Sequence, residues 1–456
     1  MSQDLTTSTF GRLLRLGGLA TRVGASLATE QAVGFWLADP VARVRRTENQ
    51  VRNALRATEA LGELKGAAMK VGQMLSVHEG LLPPEVCAVL QSLQRGAPPV
   101  PFARMRAVIE REVPGGLSRF RELHPEPLAA ASIGQVYRGR LADGRPVAVK
   151  VQYPDIDRVV AADLKTLKKL FGSLLELVSA IDFEPLWVEL RERLLEELDY
   201  RQEAENIARM RALYADDPEV LVPAVLPEAS GQRVLTLEYV PGIGPEEACS
   251  DAWPAELRDR WGAALLRFVV RGLLQHRFLH ADPNFGNFAF REDGRLVVYD
   301  HGCVKRVPEA TAAGCARTLE ACLDQELAAL PDRLHALGVY DRRRGAAVPR
   351  SVIDPLGREV LRMVGPEPYR FSREAGLYDI LLDRNGRYLA ELARLELPPD
   401  LVFVNRTLSG VFGNLCRLGA GGRWRDVLAP CLPSSSHGTQ RSGAPTPHSI
   451  APLREW

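Results

Sequence analysis

The chain predicts an α+β protein of two unequal lobes, a small one of mixed strands and helices and a larger one that is mainly helical. Three observations carry this prediction. Strand-like runs joined by turns cluster between Pro127 and Val151 and return at Val234. Helical periodicity fills long stretches on both sides of that cluster. A short hairpin between Phe278 and Gly302 then interrupts the second helical stretch. Strands and helices segregated along a chain in this way are the mark of the α+β class.

The elements follow in order. From about Glu48 to Val77, Val51, Leu55, Leu61, Leu64, Met69, Met74 and Leu75 recur mostly at helical spacing. Gly62, Gly66 and Gly72 lie inside that helix, each costing about 1 kcal/mol against Ala, which points to close packing on a backbone or ligand. Pro83 and Pro84 open a second helix that runs to about Arg95. Ala97–Pro101 is a stiff linker, and a third helix covers Phe102–Glu112. This region reads as an N-terminal extension outside the main scaffold.

The pattern then changes to strand, small-residue turn and strand from Pro127 to Gly139. Ala142-Asp-Gly-Arg is a hairpin turn, and Pro146–Val151 (PVAVKV) is a strand with Lys150 near its end. The small side chains of Ala129, Ala130, Ala131, Ser132 and Gly134 would let backbone N–H groups approach phosphate oxygens. Ile156–Ile181 reads as an inserted helix pair, followed by a helix near Trp187–Tyr214 that carries Glu197, Asp199 and Glu203. Val234–Val240 is a strand running into a hinge, whose backbone at Glu238 and Val240 could meet an adenine edge. The helix Pro254–His276 has Trp261, Leu265, Leu266, Phe268, Val269 and Leu273 as core. Beyond Gly302 the chain reads as helical to about Leu428, with breaks at Pro331, Pro349, Pro366 and Leu397–Asp400.

Chemistry concentrates in Phe278–Gly302. Asp282 and Asn287 are five positions apart, and Asp300 opens a D-H-G turn thirteen positions further on. An acid, an amide and a later Asp in this order match the H-R-D-x-x-x-x-N and D-F-G signatures of protein kinases. Phosphoryl transfer needs such a set: one carboxylate near the accepting hydroxyl, and oxygen ligands that hold Mg²⁺ on the phosphates. Val147-Ala-Val-Lys matches the strand whose Lys contacts the α- and β-phosphates. That Lys needs an acidic partner on a packed helix, and Glu203, 53 positions later, is the candidate. The separation is too large for a compact protein kinase and implies an inserted helical element or a different family.

Composition narrows the partners. With 46% hydrophobic and 25% charged residues and a formal net charge of +1, the chain is ordinary for a globular protein and has no bulk attraction for nucleic acid. Seven scattered cysteines without a C-x-x-C pair point to reduced thiols in a cytoplasm-like compartment. No apolar run is long enough to cross a membrane. In the N-terminal segment Arg12, Arg15 and Arg22 interrupt the apolar pattern, so it reads as an amphipathic helix suited to a membrane surface.

These motifs together resemble the UbiB (AarF/UbiB) family of atypical kinase-like proteins, whose members support ubiquinone and related prenyl-lipid metabolism. The marks are K-V-G-Q at Lys70–Gln73, Ala129–Val136, V-A-V-K ending at Lys150, Glu197-Leu-Asp-Tyr with Glu203, the loop Leu279–Asn287 and Asp300-His-Gly. The resemblance implies a protein-kinase-like bilobal fold that binds ATP or ADP with Mg²⁺. Lys150 would bind the α- and β-phosphates and pair with Glu203; Asp282 would be the catalytic-loop acid; Asn287 and Asp300 would hold the metal. Lys70 and Gln73 would fold over the nucleotide and fill the space of a protein substrate. Glu197 and Asp199 would hold that extension near the phosphates. The alanine-rich loop, where protein kinases have glycines, implies altered nucleotide selectivity and poor protein phosphorylation.

The implied function is an Mg²⁺-dependent ATPase that assists prenyl-lipid metabolism. Its implied partners are quinone-pathway molecules and enzymes, with peripheral contact at the inner face of a membrane and a homodimer kept open. Two departures stand out: His301 replaces the Phe of D-F-G, and the two C-terminal membrane helices of some bacterial relatives are absent. Two other readings remain beside it, a small-molecule phosphotransferase and a non-catalytic, nucleotide-gated lipid-binding or scaffold protein. The expected organisation is an N-terminal segment (1–47), a helical extension (48–120), a small lobe with its insertion (121–240), a large lobe (241–430) and a disordered tail (431–456).

Overall fold

The small lobe forms because one strand, V-A-V-K-V, alternates. In the computed structural model Val147, Val149 and Val151 are fully buried on one face of β3 (Pro146–Gln152), while Ala148 and Lys150 point to the other. The structure describes residues 100–131, 133–158, 198–341, 345–372 and 395–433, with isolated positions between 160 and 195. Strands β1 (Phe120–Ala130), β2 (Gly134–Leu141), β3 and β5 (Val234–Glu238) make an antiparallel sheet in the order β1-β2-β3-β5. Helix α1 (Phe102–Glu112) lays Met105, Val108 and Ile109 on its valine face, together with Tyr137 and Val234. The sequence grouped this helix with the extension; its apolar side is instead buried on the small-lobe sheet.

On the opposite face the register sets Val136 and Leu235 beside Lys150, and Arg138 and Leu237 beside Ala148. Leu235 and Leu237 belong to the core of the large lobe, so this is the face that looks into the cleft. The Asp143-Gly144 turn forms as expected, with Gly144 at φ +92° and Asp143 accepting from the Arg145 N–H. Strand β1 begins seven residues before Pro127, the first strand residue read from the sequence. Pro125 and Pro127 are tolerated because β1 is an edge strand with register shifts.

The helix expected over Trp187–Tyr214 does not run through. Leu198 and Asp199 break it, and α2 spans Tyr200–Leu213 with Asp199 as N-cap. The physical reason is local: an Asp in extended backbone, accepting the Arg201 N–H at 2.9 Å, starts a helix better than it continues one.

The large lobe grows round α3 (Ala255–Leu274), in which Trp261, Leu265, Leu266, Phe268, Val269 and Leu273 are all buried. Strand β6 (Phe278–His280) pairs with β9 (Val304–Arg306), and β7 (Phe288–Phe290) with β8 (Leu296–Val298) across a turn with Gly294 at φ +91°. The two-residue strand β4 (Val220–Leu221) joins β8 in parallel. Helices α4 (Glu309–Leu323), α5 (Leu330–Ala336), α6 (Arg350–Met363) and α7 (Pro399–Leu418) follow. Pro331 was expected to break a helix; it stands in the first turn of α5, where its missing N–H costs nothing. Two-residue strands at 340–341, 346–347 and 395–396 form a small sheet in what the sequence read as all-helical chain.

No disulfide joins the described cysteines. No helix among the described residues is long and apolar enough to cross a membrane. The expectations for residues 1–99, including the membrane-surface helix and the extension helices, lie outside the described residues, as do the inserted helix pair for most of its length and the tail beyond 433.

Candidate active site

Lys150 reaches the cleft because β3 alternates, and its ammonium is held from two sides. Nζ donates to both carboxylate oxygens of Glu203 at 2.8 Å and to Asp300 Oδ2 at 2.8 Å. Its cation also lies 5.0 Å from the centre of the Tyr200 ring. Burial alone would make Lys150 easier to deprotonate, but Asp300 and Glu203 outweigh it and hold its pKa well above the usual lysine value. Glu203 is pushed up to about 7, by burial first, with Lys150 pulling down and Asp300 pushing up. Two oxygens on one ammonium make the charged pair the state we assign to Lys150 and Glu203.

Helix α2 presents Glu203, and one turn later Asn206, to the loop after Asp300. The His301 N–H approaches Glu203 Oε1 at 3.4 Å, and Asn206 Nδ2 donates to the His301 carbonyl at 3.1 Å. Asp300 is set by its own turn, with Oδ1 accepting the Gly302 N–H at 3.0 Å. His280 donates from Nε2 to the Asp300 carbonyl at 2.6 Å, which fixes the His280 tautomer. His301 is fully buried edge-on to His280, with ring centroids 5.6 Å apart. Burial, then the His280 ring, lowers its pKa to about 3, so it is neutral.

The loop of Asp282 and Asn287 is a compact turn between β6 and β7. Asp282 Oδ1 accepts the Asn284 N–H at 3.2 Å, and Asn284 caps a short 3-10 turn over Phe285–Asn287. Asn287 donates from Nδ2 to the Asp282 carbonyl at 3.3 Å, which turns its amide oxygen away from that bond. The Asn287 carbonyl accepts the Tyr299 N–H at 2.9 Å, tying this loop to the residue before Asp300. Asp282, Asn287 and Asp300 thus offer two carboxylates and an amide oxygen, the hard-oxygen set that suits Mg²⁺.

At the hinge, the Glu238 N–H donates to the Ala224 carbonyl and the Tyr239 N–H to the Pro146 carbonyl. The Val240 carbonyl accepts the Tyr299 hydroxyl at 2.8 Å, so that oxygen is already engaged. Ala130 pairs with Gln135, and the Ala131 N–H donates to the Gly134 carbonyl at 2.8 Å, closing the alanine turn. A methyl group on Gly134 would fall under 3.0 Å from the Val151 carbonyl, so only Gly fits there. The Asp199 carboxylate caps α2 and forks onto Arg201. Lys70, Gln73, Ser132 and Glu197 lie outside the described residues.

The structure therefore gathers Lys150, Glu203 and Asp300 directly, with Asp282 and Asn287 on the adjoining loop. Sequence reasoning passed over Asn206. Its spacing of three from Glu203 was the available signal, since positions three apart share a helix face.

Comparison with known proteins gives this geometry a family. Residues 92–332 match the family described as the ABC1 atypical kinase-like domain. The rat (Rattus norvegicus) protein named atypical kinase COQ8B, mitochondrial, is 30% identical over 440 residues, covering 93% of this chain and 81% of that protein. Its zebrafish (Danio rerio) namesake is 31% identical over 304 residues, but the match spans 48% of the zebrafish protein and 65% of this chain. Among solved structures, the complex of Rv3197 with erythromycin from Mycobacterium tuberculosis is similar with a TM-score of 0.63 and 29% identity, covering 86% of this chain and 99% of that one. The chain belongs to the ABC1 family of atypical kinase-like proteins, the UbiB family that its sequence motifs resemble.

Proposed function

We propose that this protein binds ATP with Mg²⁺ and hydrolyses it in the service of ubiquinone or other prenyl-lipid metabolism. The observation that carries the reading is Lys150, part-buried in the cleft and held at 2.8 Å by both Glu203 and Asp300. A cation so positioned fits an anionic phosphate chain, and the three oxygen donors beside it fit the metal that accompanies one. Mg²⁺, when bound, neutralises phosphate charge and aligns the γ-phosphate for attack.

The chain's own residues do the rest. Lys150 orients the α- and β-phosphates, kept in place by Glu203. Asp282 orients the attacking water and takes up its proton. Asn287 and Asp300 would hold the metal. The lipid-pathway part of the reading rests on the family, with quinone-pathway molecules and enzymes as partners and peripheral membrane contact as the setting. Protein phosphorylation is not the proposed activity, because the K-V-G-Q extension of this family would occupy the peptide's place.

The decisive assay is ATP hydrolysis with and without prenyl-lipid-like phenols and anionic liposomes, with Asp300→Asn as control. Turnover that needs Mg²⁺ and is lost in the variant supports the reading. Equal rates in the two proteins, with nucleotide still bound, would leave a nucleotide-gated scaffold. Phosphate found on an added small alcohol would point to a small-molecule phosphotransferase.

A further inference from the structure

Helix α7 lies beyond residues 92–332, the stretch that matches the ABC1 domain. It nonetheless touches the loop of Asp282 and Asn287 at three places on one face. A methyl on Gly410 would fall under 3.0 Å from the Pro283 ring carbons, so here the α7 backbone itself meets the loop. Asn414, one turn on and only 5% exposed, donates from Nδ2 to the Pro283 carbonyl at 2.8 Å. Arg417 follows, its guanidinium 4.9 Å from the centre of the Phe285 ring. Positions 410, 414 and 417 are spaced four and three apart and so form a single stripe.

The back of the helix cannot yield. Leu401, Val404, Val411, Leu415 and Leu418 are buried in the large-lobe core, and Gly262 of α3 lets Leu415 and Ala420 approach its backbone. The loop's internal hydrogen bonds, from Asn284 to Asp282 and from Asn287 to Asp282, shape it but do not place it in the lobe. Pro283 lies directly beside Asp282, so a displacement of its ring or carbonyl passes to the carboxylate through one peptide unit.

We propose that Gly410 and Asn414 are positioning residues, which set the height of Asp282 and Asn287 over the bound nucleotide from a helix outside the family-matched domain. The proposal rests on the nucleotide chemistry proposed above. Gly413 supplies an internal control, because a methyl there meets nothing within 4 Å.

The test compares Gly410→Ala, Gly413→Ala, Asn414→Asp and Asn414→Gln for ATP turnover, nucleotide affinity with and without Mg²⁺, and melting temperature. Gly410→Ala is expected to lose about ten- to a hundred-fold in turnover, the scale of a misplacement near 1 Å. Its Mg²⁺-free nucleotide affinity should stay within about twofold of wild type on the same argument, since the binding cation does not move. Gly413→Ala should match wild type and fold at least as well. Asn414→Asp, which keeps the shape and loses the donor, should fall on the side of Gly410→Ala, while Asn414→Gln restores part of the rate. The Gly410→Ala deficit should also shrink in a Pro283→Gly background, where the clash is gone.

Equal turnover in Gly410→Ala and Gly413→Ala would overturn the proposal, as would a rate loss that only follows a loss of Mg²⁺-free binding. If Gly410→Ala does not fold, Asn414→Asp against Asn414→Gln decides. If wild type binds ATP without hydrolysing it, the ATPase reading falls, and the positioning role is read from Mg²⁺. Strengthening of nucleotide binding by the metal should then be lost in Gly410→Ala and kept in Gly413→Ala. Equal strengthening in both would end it.

Discussion

Lys150 and Asp300 are 150 positions apart in the chain and 2.8 Å apart in the structure. One comes from the small-lobe sheet and the other from the loop after β8, so a single ion pair spans the cleft between the lobes. Glu203 completes it from α2. Removing the lysine leaves a buried carboxylate facing a second carboxylate, which is the costly way to break such a group.

Lys150→Met is therefore expected to lose about 3 kcal/mol of folding stability at pH 7 and most of its affinity for ATP. Paired urea titrations and nucleotide binding check this. The double variant Lys150→Met with Glu203→Leu should regain most of the stability and none of the binding. A double variant no more stable than the single one would show that the loss arises elsewhere.

Asp199→Ala should destabilise α2 by about 1 kcal/mol, the cost of an N-cap, while Asp199→Ser should be nearly neutral. Stability curves measure that part. The two roles for Asp199 separate in turnover: a cap is replaced by Ser, whereas a carboxylate needed near the phosphates is not. An Asp199→Ser protein with wild-type stability and a rate lowered tenfold or more would support the second role.

Much of the fold was legible because its signals are periodic and local. Helix α1 runs from Phe102 to Glu112 and α3 from Ala255 to Leu274, within two residues of what apolar spacing predicts. The alternation in V-A-V-K-V fixes the direction of Lys150, and the acid–amide–acid order marks the loops that carry Asp282, Asn287 and Asp300. What escaped is non-local or too short to have a period. β4 is two residues long and forms only because β8 lies beside it. The break at Asp199 hides because an Asp within a run of helix formers looks the same in sequence whether it caps or continues. The contact of Asn414 with Pro283 joins positions 131 apart, and no spacing rule reaches across that distance.

Asp217 gives the clearest pH dependence. Its side chain is buried, takes Arg271 at 2.5 Å and Arg267 at 3.1 Å, and accepts the Glu219 N–H at 3.0 Å. Burial pushes its carboxyl up, but the Glu219 N–H and the two guanidinium groups outweigh this and hold the pKa below the usual carboxylate range. A depressed carboxylate stabilises the fold above its unfolded value near 4, and this is lost as pH falls through the lower folded value. Asp217→Asn should cost about 3 kcal/mol at pH 7 and clearly less near pH 2 to 3. Urea midpoints at the two pH values test it; a deficit independent of pH would assign the loss to packing and not to charge.

His301 stands where the kinase signature has Phe, and its surroundings are those of an apolar side chain. It is fully buried, and neither ring nitrogen meets a partner in hydrogen-bonding geometry. Burying polar atoms in this way costs free energy that a ring of similar shape without them avoids. His301→Phe is expected to gain about 1 kcal/mol at pH 7, seen as a raised melting temperature. The effect has a second signature. The folded-state pKa near 3 lies below the ordinary imidazole value near 6.5. The wild-type unfolded chain therefore binds a proton below about pH 6.5 that the folded protein does not, and stability drains away as pH falls toward 3. The variant lacks this term, so its advantage should widen steadily from pH 7 to pH 4. An advantage that stays constant over that range would mean that His301 finds a way to charge inside the fold, and that the two rings of His280 and His301 rearrange to allow it.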